Sequence, residues 1–359
     1  MSDISYGKYL RLGEILSAQA PESRKAGRDA HDEMLFIIVH QAYELWFKQI
    51  LHELDRIQDE FAATPLDDRR LARIVHGLGR IHEILKLLVH QLDVLETMTP
   101  QDFLDFRDLL TSSSGFQSLQ FRLIETRLGL ERARRLLFDG RTPHEHLSAH
   151  ERTQLEAAEA RPSLSDQLDR WLARTPFVAA GDYAFSDAYR EAVLTMLAAD
   201  QKTAAAAATI DADRRTAEVE ALERAARAFR AIFEPSAAPG AWRMSAKAVI
   251  AALFITVYRD RPALAMPHSV LASLMDIDET MTLWRYRHAL MVERMIGVKV
   301  GTGGSSGHDY LKRSAETHRV FVDLFHLSTY LIPRRALPEL PAEIERRLRF
   351  VYEEEEPGR

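Results

Sequence analysis

The 359-residue sequence contains no cysteine. This absence excludes disulfides, thiolate zinc sites, iron–sulfur clusters and cysteine nucleophiles. Any bound metal must therefore be held by His, Asp, Glu, Tyr or Met side chains, and 14 histidines are available.

Long apolar runs are also missing. No stretch approaches the roughly 18 uncharged apolar residues of a transmembrane helix, and the opening residues MSDISYGKYLRLGE contain no apolar core of signal-peptide length. We therefore expect a cytoplasmic protein with no membrane partner. Basic residues number 47 against 53 acidic ones, a net charge of −6, which disfavours nucleic-acid binding.

Alternating strand patterns are absent as well, and the dominant period is helical. Hydrophobic residues make up 46% of the chain, which suffices for a sizeable core. Between residues 71 and 95 the apolar positions recur at steps of three and four. They are Leu71, Ile74, Leu78, Ile81, Leu85, Leu88, Leu92 and Leu95. This pattern predicts an all-α fold.

Other segments have helical patterns of different strength. A helix from about Asp32 to Phe61 has two apolar stripes, one with Leu35, Ile38, Ala42 and Leu45, the other with Phe36, His40, Tyr43 and Phe47. Further helices are predicted at 99–110, from about 116, at 269–296 and at 317–332. Prolines divide residues 140–185 into short helices, one or two long helices follow at 187–233, and 353–359 form an acidic tail. No linker is evident, so we expect one domain spanning 1–359.

Phe36 and His40 are four residues apart and share a helix face. An aromatic ring beside an imidazole suits a flat aromatic substrate whose N–H needs an acceptor. The alternative is a core histidine whose hydrogen bonds are met by a neighbour.

Arg107 follows Phe103 and Phe106. A guanidinium among aromatic rings can clamp a carboxylate through two hydrogen bonds. The alternative is an ion pair with Asp105 or Asp108.

His288 lies in the stretch LWRYRHALM, beside Trp284 and Met291. One helical histidine with apolar neighbours can be an axial haem ligand, or it can be a packed core residue. Because no C-x-x-C-H motif is present, any haem would be bound non-covalently.

Three further groups of residues allow a functional interpretation. The glycine-rich loop Gly301–Gly307 lacks the Gly-Lys-Ser/Thr ending of a phosphate-binding loop and does not follow a strand. It is therefore either a mobile lid with hydroxyls such as that of Thr302 or a solvent-exposed connector. The clusters at 31–33 and 144–146 contain metal-ligand types, and a two-His-one-carboxylate iron site is the alternative to solvated side chains. The basic cluster of Arg127, Arg132, Arg134 and Arg135 is interleaved with Glu125 and Glu131, which favours a face of ion pairs over a nucleic-acid groove.

The sequence resembles the tryptophan 2,3-dioxygenase family over nearly its whole length, most weakly at 140–240. The resemblance rests on stretches that follow one another in the family's order. They are Tyr6–Leu10, His31–Trp46, Phe106–Asp108, Ser113–Arg122, Leu283–His288, Gly301–Gly307, Phe321–Phe325 and Leu327–Pro333. Several long motifs in one order are far more specific than any of them alone.

The resemblance implies a haem enzyme that inserts both atoms of O₂ across the indole C2–C3 bond of L-tryptophan to give N-formylkynurenine. It implies one non-covalent haem b per subunit, with His288 as the iron ligand, and a homotetramer in which residues 1–30 reach a neighbouring subunit. It also implies a set of substrate-contacting residues: Phe36, Ile37, Ile38, Val39, His40, Phe103, Arg107, Ser114, Gly115, Thr302, Tyr6 and Tyr9. His40 is expected to orient the indole rather than to be an indispensable base.

Position 103 varies between Tyr and Phe within this family. The phenylalanine in this chain removes a hydroxyl that could reach the substrate's carboxylate, so Arg107 should carry more of that contact. Three rivals stay open from the sequence: a mono-oxygenating relative, a haem or tryptophan sensor, and a helical interaction protein without haem.

Overall fold

The computed structural model describes residues 4–110, 115–137, 140–206, 211–233, 242–297 and 307–350. These residues are mainly helical, and their sheet is one antiparallel pair of two-residue strands, β1 (Ala179–Ala180) and β2 (Tyr183–Ala184). The all-α prediction is confirmed. Among the helices of these ranges, none combines the length and the apolar content needed to cross a bilayer.

The α-helices follow one another with short connections. In chain order they are α1 (Tyr6–Tyr9), α2 (Leu12–Ile15), α3 (Glu22–Lys25), α4 (Glu33–Ala62), α5 (Asp68–Leu95), α6 (Pro100–Arg107), α7 (Leu119–Leu128), α8 (Ala149–Glu159), α9 (Leu164–Leu172), α10 (Phe185–Ala206), α11 (Ala212–Phe233), α12 (Ala246–Val257), α13 (Pro262–Ile296), α14 (Gly307–Thr317), α15 (Val322–His326) and α16 (Ala342–Leu348). Short 3₁₀ turns include Asp108–Leu110, Gly115–Gln117, Pro143–His146 and Leu327–Tyr330.

The structure corrects two predicted boundaries. Helix α13 begins at Pro262 instead of 269 and continues through Pro267, so it tolerates the loss of one backbone hydrogen bond. The predicted helix at 317–332 is wrong, since α14 ends at Thr317 and α15 begins at Val322. A distant carboxylate holds the turn between them: Val320 N–H donates to Asp278 Oδ1 at 2.8 Å.

The described chain divides into two compact units. Unit 1 comprises Met1–Arg56, Gly79–Ser163 and Asp276–Val320, and unit 2 comprises Ile57–Leu78, Leu164–Met275 and Phe321–Arg359. The single domain expected from the sequence stays a prediction.

Helices α4 and α5 run antiparallel through the core of unit 1. Tyr43 Oη donates to Leu88 O at 2.7 Å, and Gln91 Nε2 donates to Val39 O at 2.8 Å. All eight residues of the predicted α5 stripe are buried. On α4 the buried stripe is Val39, Tyr43, Phe47, Ile50 and Leu54, whereas the other predicted stripe leaves Ile38 48% and Leu45 56% exposed.

We expect Leu54→Ala to lower the free energy of unfolding by about 2–5 kcal/mol, because the side chain is fully buried and its removal leaves a cavity. Urea denaturation measures this loss. The matched control is Lys48→Ala on the same helix, at an exposed position, where a change within about 0.5 kcal/mol is expected. Equal effects in the two variants would contradict this description of the core.

In unit 2, helices α9, α10 and α12 bury aliphatic and aromatic faces. The Phe185 ring meets that of Phe254 edge-on at 5.1 Å, and Tyr189 Oη donates to Tyr330 O at 2.7 Å. The two-residue strands just before α10 were not predicted, because the sequence there offers no alternating pattern long enough to be recognised.

Candidate functional site

A cavity of about 320 Å³ lies within unit 1, a volume typical of small-molecule sites. Side chains from α4, α5, α6, α7, α13 and α14 line it. Much of the wall is apolar, and the aliphatic and thioether members include Leu92, Leu95, Met98, Met291, Val292 and Met295.

Phe36 and His40 both face this cavity. Their ring centroids are 4.1 Å apart, as their spacing on α4 predicts. Phe103 from α6 also lines the cavity and lies 5.8 Å from Phe36, while the buried Phe106 meets both rings edge-on. Together these rings form an aromatic wall beside an imidazole.

The hydrogen bond of His40 decides which ring nitrogen can serve a ligand. Nδ1 lies 2.7 Å from the Phe36 carbonyl oxygen, and because a carbonyl only accepts, Nδ1 carries the proton. Nε2 of the neutral ring is then an acceptor, with no partner among the described residues. Burial lowers the pKa of His40 below 6.5, partly opposed by the Phe36 hydrogen bond and by Glu44, so the acceptor form persists at neutral pH.

His288 lines the same cavity from α13. Its Nδ1 is buried and has no hydrogen-bond partner in the part of the chain that the structure describes, unlike a core histidine that a neighbour satisfies. Burial lowers the pKa of His288 to about 4, and the nearby His40 acts in the same direction. The ring is therefore neutral at pH 7, the form in which imidazole binds a metal.

A chain of aromatic contacts fixes the orientation of His288. The ring stacks on Trp284 at 5.1 Å with a 19° interplanar angle. Trp284 Nε1 donates to Tyr43 Oη at 3.3 Å, and the Tyr43 hydroxyl is in turn anchored to Leu88 O. Burial raises the pKa of Tyr43 to about 12, so the hydroxyl stays protonated and keeps donating.

Arg107 reaches the cavity from the last turn of α6. The capping box of Thr99 and Asp102 starts this helix. Of the two acids suggested as alternative partners, Asp105 and Asp108, Asp108 instead accepts from Arg28 at 2.7 and 2.8 Å. Arg107 makes no ion pair with a described residue, so its guanidinium can receive a ligand's carboxylate.

Gly115 lines the cavity at the start of a 3₁₀ turn. Apart from its chain neighbours, no described residue has an atom within 4 Å of the point where a Cβ would be, so the backbone here is open to a ligand. Ser114 and Thr302, with most of the glycine-rich loop, lie outside the described residues.

Five of the predicted contact residues do not line the cavity. Ile37, Ile38 and Val39 occupy other faces of α4, because successive helical residues are rotated by about 100°; Val39 is buried in the core and Ile38 is exposed. Their direct contact with a ligand stays a prediction. Tyr6 and Tyr9 on α1 are each 75% exposed, and their contact with a neighbouring subunit stays a prediction.

The two alternative metal clusters do not assemble. In the part of the chain that the structure describes, no three His, Asp or Glu side chains are arranged to hold an ion. His144 Nε2 instead lies 3.1 Å from Glu159 Oε2.

Four polar side chains on the cavity wall were not predicted to lie at the site, although Glu125 was expected to form ion pairs and does so with Arg135. Arg122, Glu125, Arg285 and His318 come together from α7, α13 and the end of α14. Among these four, only Arg122 and Glu125 are close enough in sequence, three residues apart on one helix, for a local pattern to predict their contact.

Comparison with known proteins identifies the family of this chain. A family model described as Tryptophan 2,3-dioxygenase matches residues 1–331. The chain belongs to the tryptophan 2,3-dioxygenase family. Relatives named tryptophan 2,3-dioxygenase include one from Alteromonas mediterranea, 45% identical over 96% of this chain and 97% of its own length. Another, from Bdellovibrio bacteriovorus, is 46% identical over 97% and 99%. A third, from Dictyostelium discoideum, is 41% identical over 97% and 89%.

Membership in the tryptophan 2,3-dioxygenase family gives the cavity a chemical context. The family name specifies an indole amino acid, and the cavity combines an aromatic wall, an N–H acceptor and an unpaired guanidinium. These are the three kinds of contact that such a molecule needs.

Proposed function

We propose that the protein is a haem-dependent dioxygenase of L-tryptophan. It inserts both atoms of O₂ across the indole C2–C3 bond and releases N-formylkynurenine, the first step of tryptophan degradation by the kynurenine pathway. The observation that carries this proposal is the convergence of His40, Arg107 and His288 on one cavity in a chain of this family.

The described residues fit a non-covalent haem b, one per subunit. His288 would hold the iron, since its imidazole is neutral and no group of the described residues bonds to its Nδ1. Gly115 leaves its side of the cavity open. When bound, haem supplies the iron that activates O₂.

The chain's own residues contribute mainly by positioning the substrate. Phe36 and Phe103 pack against the indole ring, and His40 Nε2 accepts the hydrogen bond of the indole N–H. Arg107 binds the carboxylate at the other end of the molecule. Ser114, Gly115 and Thr302 are assigned to the same substrate by the family motif. The two anchored ends fix the indole C2–C3 bond in one place, and the apolar wall excludes bulk water.

We expect His40→Phe to lower kcat/KM for tryptophan by roughly 2- to 12-fold without abolishing turnover, since one neutral hydrogen bond is worth about 0.5–1.5 kcal/mol. The measurement is steady-state kinetics with tryptophan and with 1-methyltryptophan, which has no indole N–H. The difference between the two substrates should shrink in the variant. An unchanged difference would rule out the hydrogen bond, and complete loss of turnover would make His40 an essential base.

The reaction itself is tested with ¹⁸O₂. The haem-loaded ferrous protein should show a Soret band and convert tryptophan to a product with two labelled oxygen atoms. One labelled atom would favour the mono-oxygenating relative. A spectral change without product would favour a sensor, and a colourless preparation after haem supplementation would favour an interaction protein.

We propose further that the protein is a homotetramer. Unit 1 has three exposed pairs of apolar residues, each pair seven apart on one helix: Ile38 and Leu45, Leu87 and Val94, Leu283 and Leu290. Apolar residues seven apart on a helix are typical of surfaces at which helices pack together. In the tetramer that we propose, these pairs are buried between copies of the chain, and α1 presents Tyr6 and Tyr9 to a neighbouring subunit.

Light scattering should give four times the 40.9 kDa chain mass. We expect the double variant Leu87→Lys, Val94→Lys to form smaller species, because two charges would be buried in the contact. Leu331→Lys, at an exposed leucine in unit 2, is the control. A tetramer that survives the double change would exclude this α5 face from the interface.

A cytoplasmic location is part of the proposal. A chain without cysteine needs no oxidising compartment for its stability.

A further inference from the structure

Glu125 is the centre of a buried ionic cluster on the cavity wall. Its side chain is 1% exposed and accepts from three guanidiniums: Arg122 and Arg135 reach Oε2 at 2.8 Å, and Arg285 reaches Oε1 at 2.9 Å. Burial alone would raise the pKa of Glu125, but these arginines and His318 hold it well below its usual value. The carboxylate is therefore ionised.

His318 adds no charge to the cluster. Its Nε2 accepts from the Leu136 N–H at 3.1 Å, so the ring is the neutral tautomer with its Nδ1 proton towards Glu125, 3.7 Å away. Asp278 lies next to Arg285 but is also paired with Arg319. Glu159 faces Arg135 on the side of His144.

The cluster thus places more positive than negative charge against the cavity. The cavity-lining ionic side chains are Arg107, Arg122 and Arg285 against Glu44 and Glu125. Arg107 lies on α6, apart from the cluster. At the cluster itself, two guanidiniums line the cavity against one carboxylate.

Of the cluster's guanidiniums that line the cavity, Arg122 is the one with unused hydrogen-bond donors. Arg135 Nε is also buried without a partner among the described residues, but Arg135 does not line the cavity. Arg122 is 6% exposed, yet only Nη1 is used, on Glu125. Neither the buried Nε nor Nη2 bonds to a described residue. A buried guanidinium that is not fully paired is costly, so the arrangement favours an anion in the cavity.

We propose that Arg122, supported by Arg285 and held in place by Glu125, binds a carboxylate arm of the haem. This inference rests on the proposed function, because it assigns a second anchor to the same cofactor. Haem b has two propionate groups, and a guanidinium pairs well with a carboxylate. His288 would fix the iron, and Arg122 would fix the rotation of the macrocycle about the iron–imidazole bond.

The first test needs no variant. Protohaem and its dimethyl ester differ only in the two carboxylates, and the release of each to excess apomyoglobin measures how tightly the protein holds it. We expect the ester to leave about 10- to 100-fold faster, the range for a charge-assisted hydrogen bond. Equal rates would overturn the proposal.

The second test locates the contact. In Arg122→Gln we expect protohaem to leave about 10- to 100-fold faster, with little further effect of esterification, whereas Arg122→Lys should keep part of the difference between the two haems. The control is Arg127→Gln on the same helix, whose ion pair is with Asp55 and which does not line the cavity; it should retain the wild-type difference. If Arg122→Gln keeps the full difference, the carboxylates bind elsewhere.

The two proposals fail differently. A wild-type protein that binds no haem overturns both. A wild-type protein that binds haem and oxidises tryptophan, but holds the ester as tightly as the acid, overturns only the role of Arg122. If Arg122→Gln does not fold, the ester comparison in the wild type and in Arg122→Lys still decides the question.

Discussion

His288→Ala is expected to abolish stable haem binding. Its imidazole is the neutral, unpartnered metal ligand that the cavity offers, and without it the macrocycle would be held only by apolar contacts and by ionic contacts at its edge. Loss of an outer partner of a metal ligand already costs about 10- to 100-fold in affinity, so loss of the ligand should cost more. The measurement is the Soret absorbance retained after gel filtration of the haem-loaded protein.

The matched control for this change is His268→Ala. His268 is another half-buried histidine of α13, and it does not line the cavity. This variant should bind haem normally. Added imidazole should restore part of the Soret band to His288→Ala, because a free ligand can enter the space left by the side chain. Tight haem binding and normal turnover in His288→Ala would end the assignment.

Arg107→Ala should mainly raise KM for tryptophan. The guanidinium is half-buried and has no protein partner among the described residues, so it is available to the substrate's carboxylate. Losing one side of such a charge pair costs about 2 kcal/mol or more, which is roughly a 30-fold loss in kcat/KM. Arg107→Lys should recover only part of it, since an ammonium cannot form the two parallel hydrogen bonds.

Tryptamine provides the control for Arg107. It has the indole ring but no carboxylate, so its turnover should be poor in the wild type and nearly unaffected by Arg107→Ala. If the wild type turned over tryptamine as well as tryptophan, the clamp would be wrong. The same holds if the variant lost equal activity on both molecules.

Local periodicity predicted much of the helical framework. The α5 stripe has a single interpretation, because eight apolar residues at helical spacing must be buried. On α4 the sequence showed two candidate stripes and could not say which one is buried. The choice depends on contacts such as Tyr43 with Leu88, which join residues far apart in the chain.

The site was predictable where its residues lie close together in sequence. Phe36 and His40 follow from helical spacing, whereas the role of Arg107 depends on Arg28 taking Asp108, 80 residues away. The cluster around Glu125 could be predicted even less from local patterns, because its members are spread along the chain between residues 122 and 318. Charged side chains such as Arg135, which the sequence alone would place on a solvated surface, are buried in the folded protein.

A crystal structure of the ferrous, haem-loaded protein with L-tryptophan tests the site most directly. We predict iron bonded to a nitrogen of His288, the indole beside Phe36 with its N–H on His40 Nε2, and the substrate carboxylate on Arg107. Iron held by any other side chain, or tryptophan bound away from His40 and Arg107, would contradict the account.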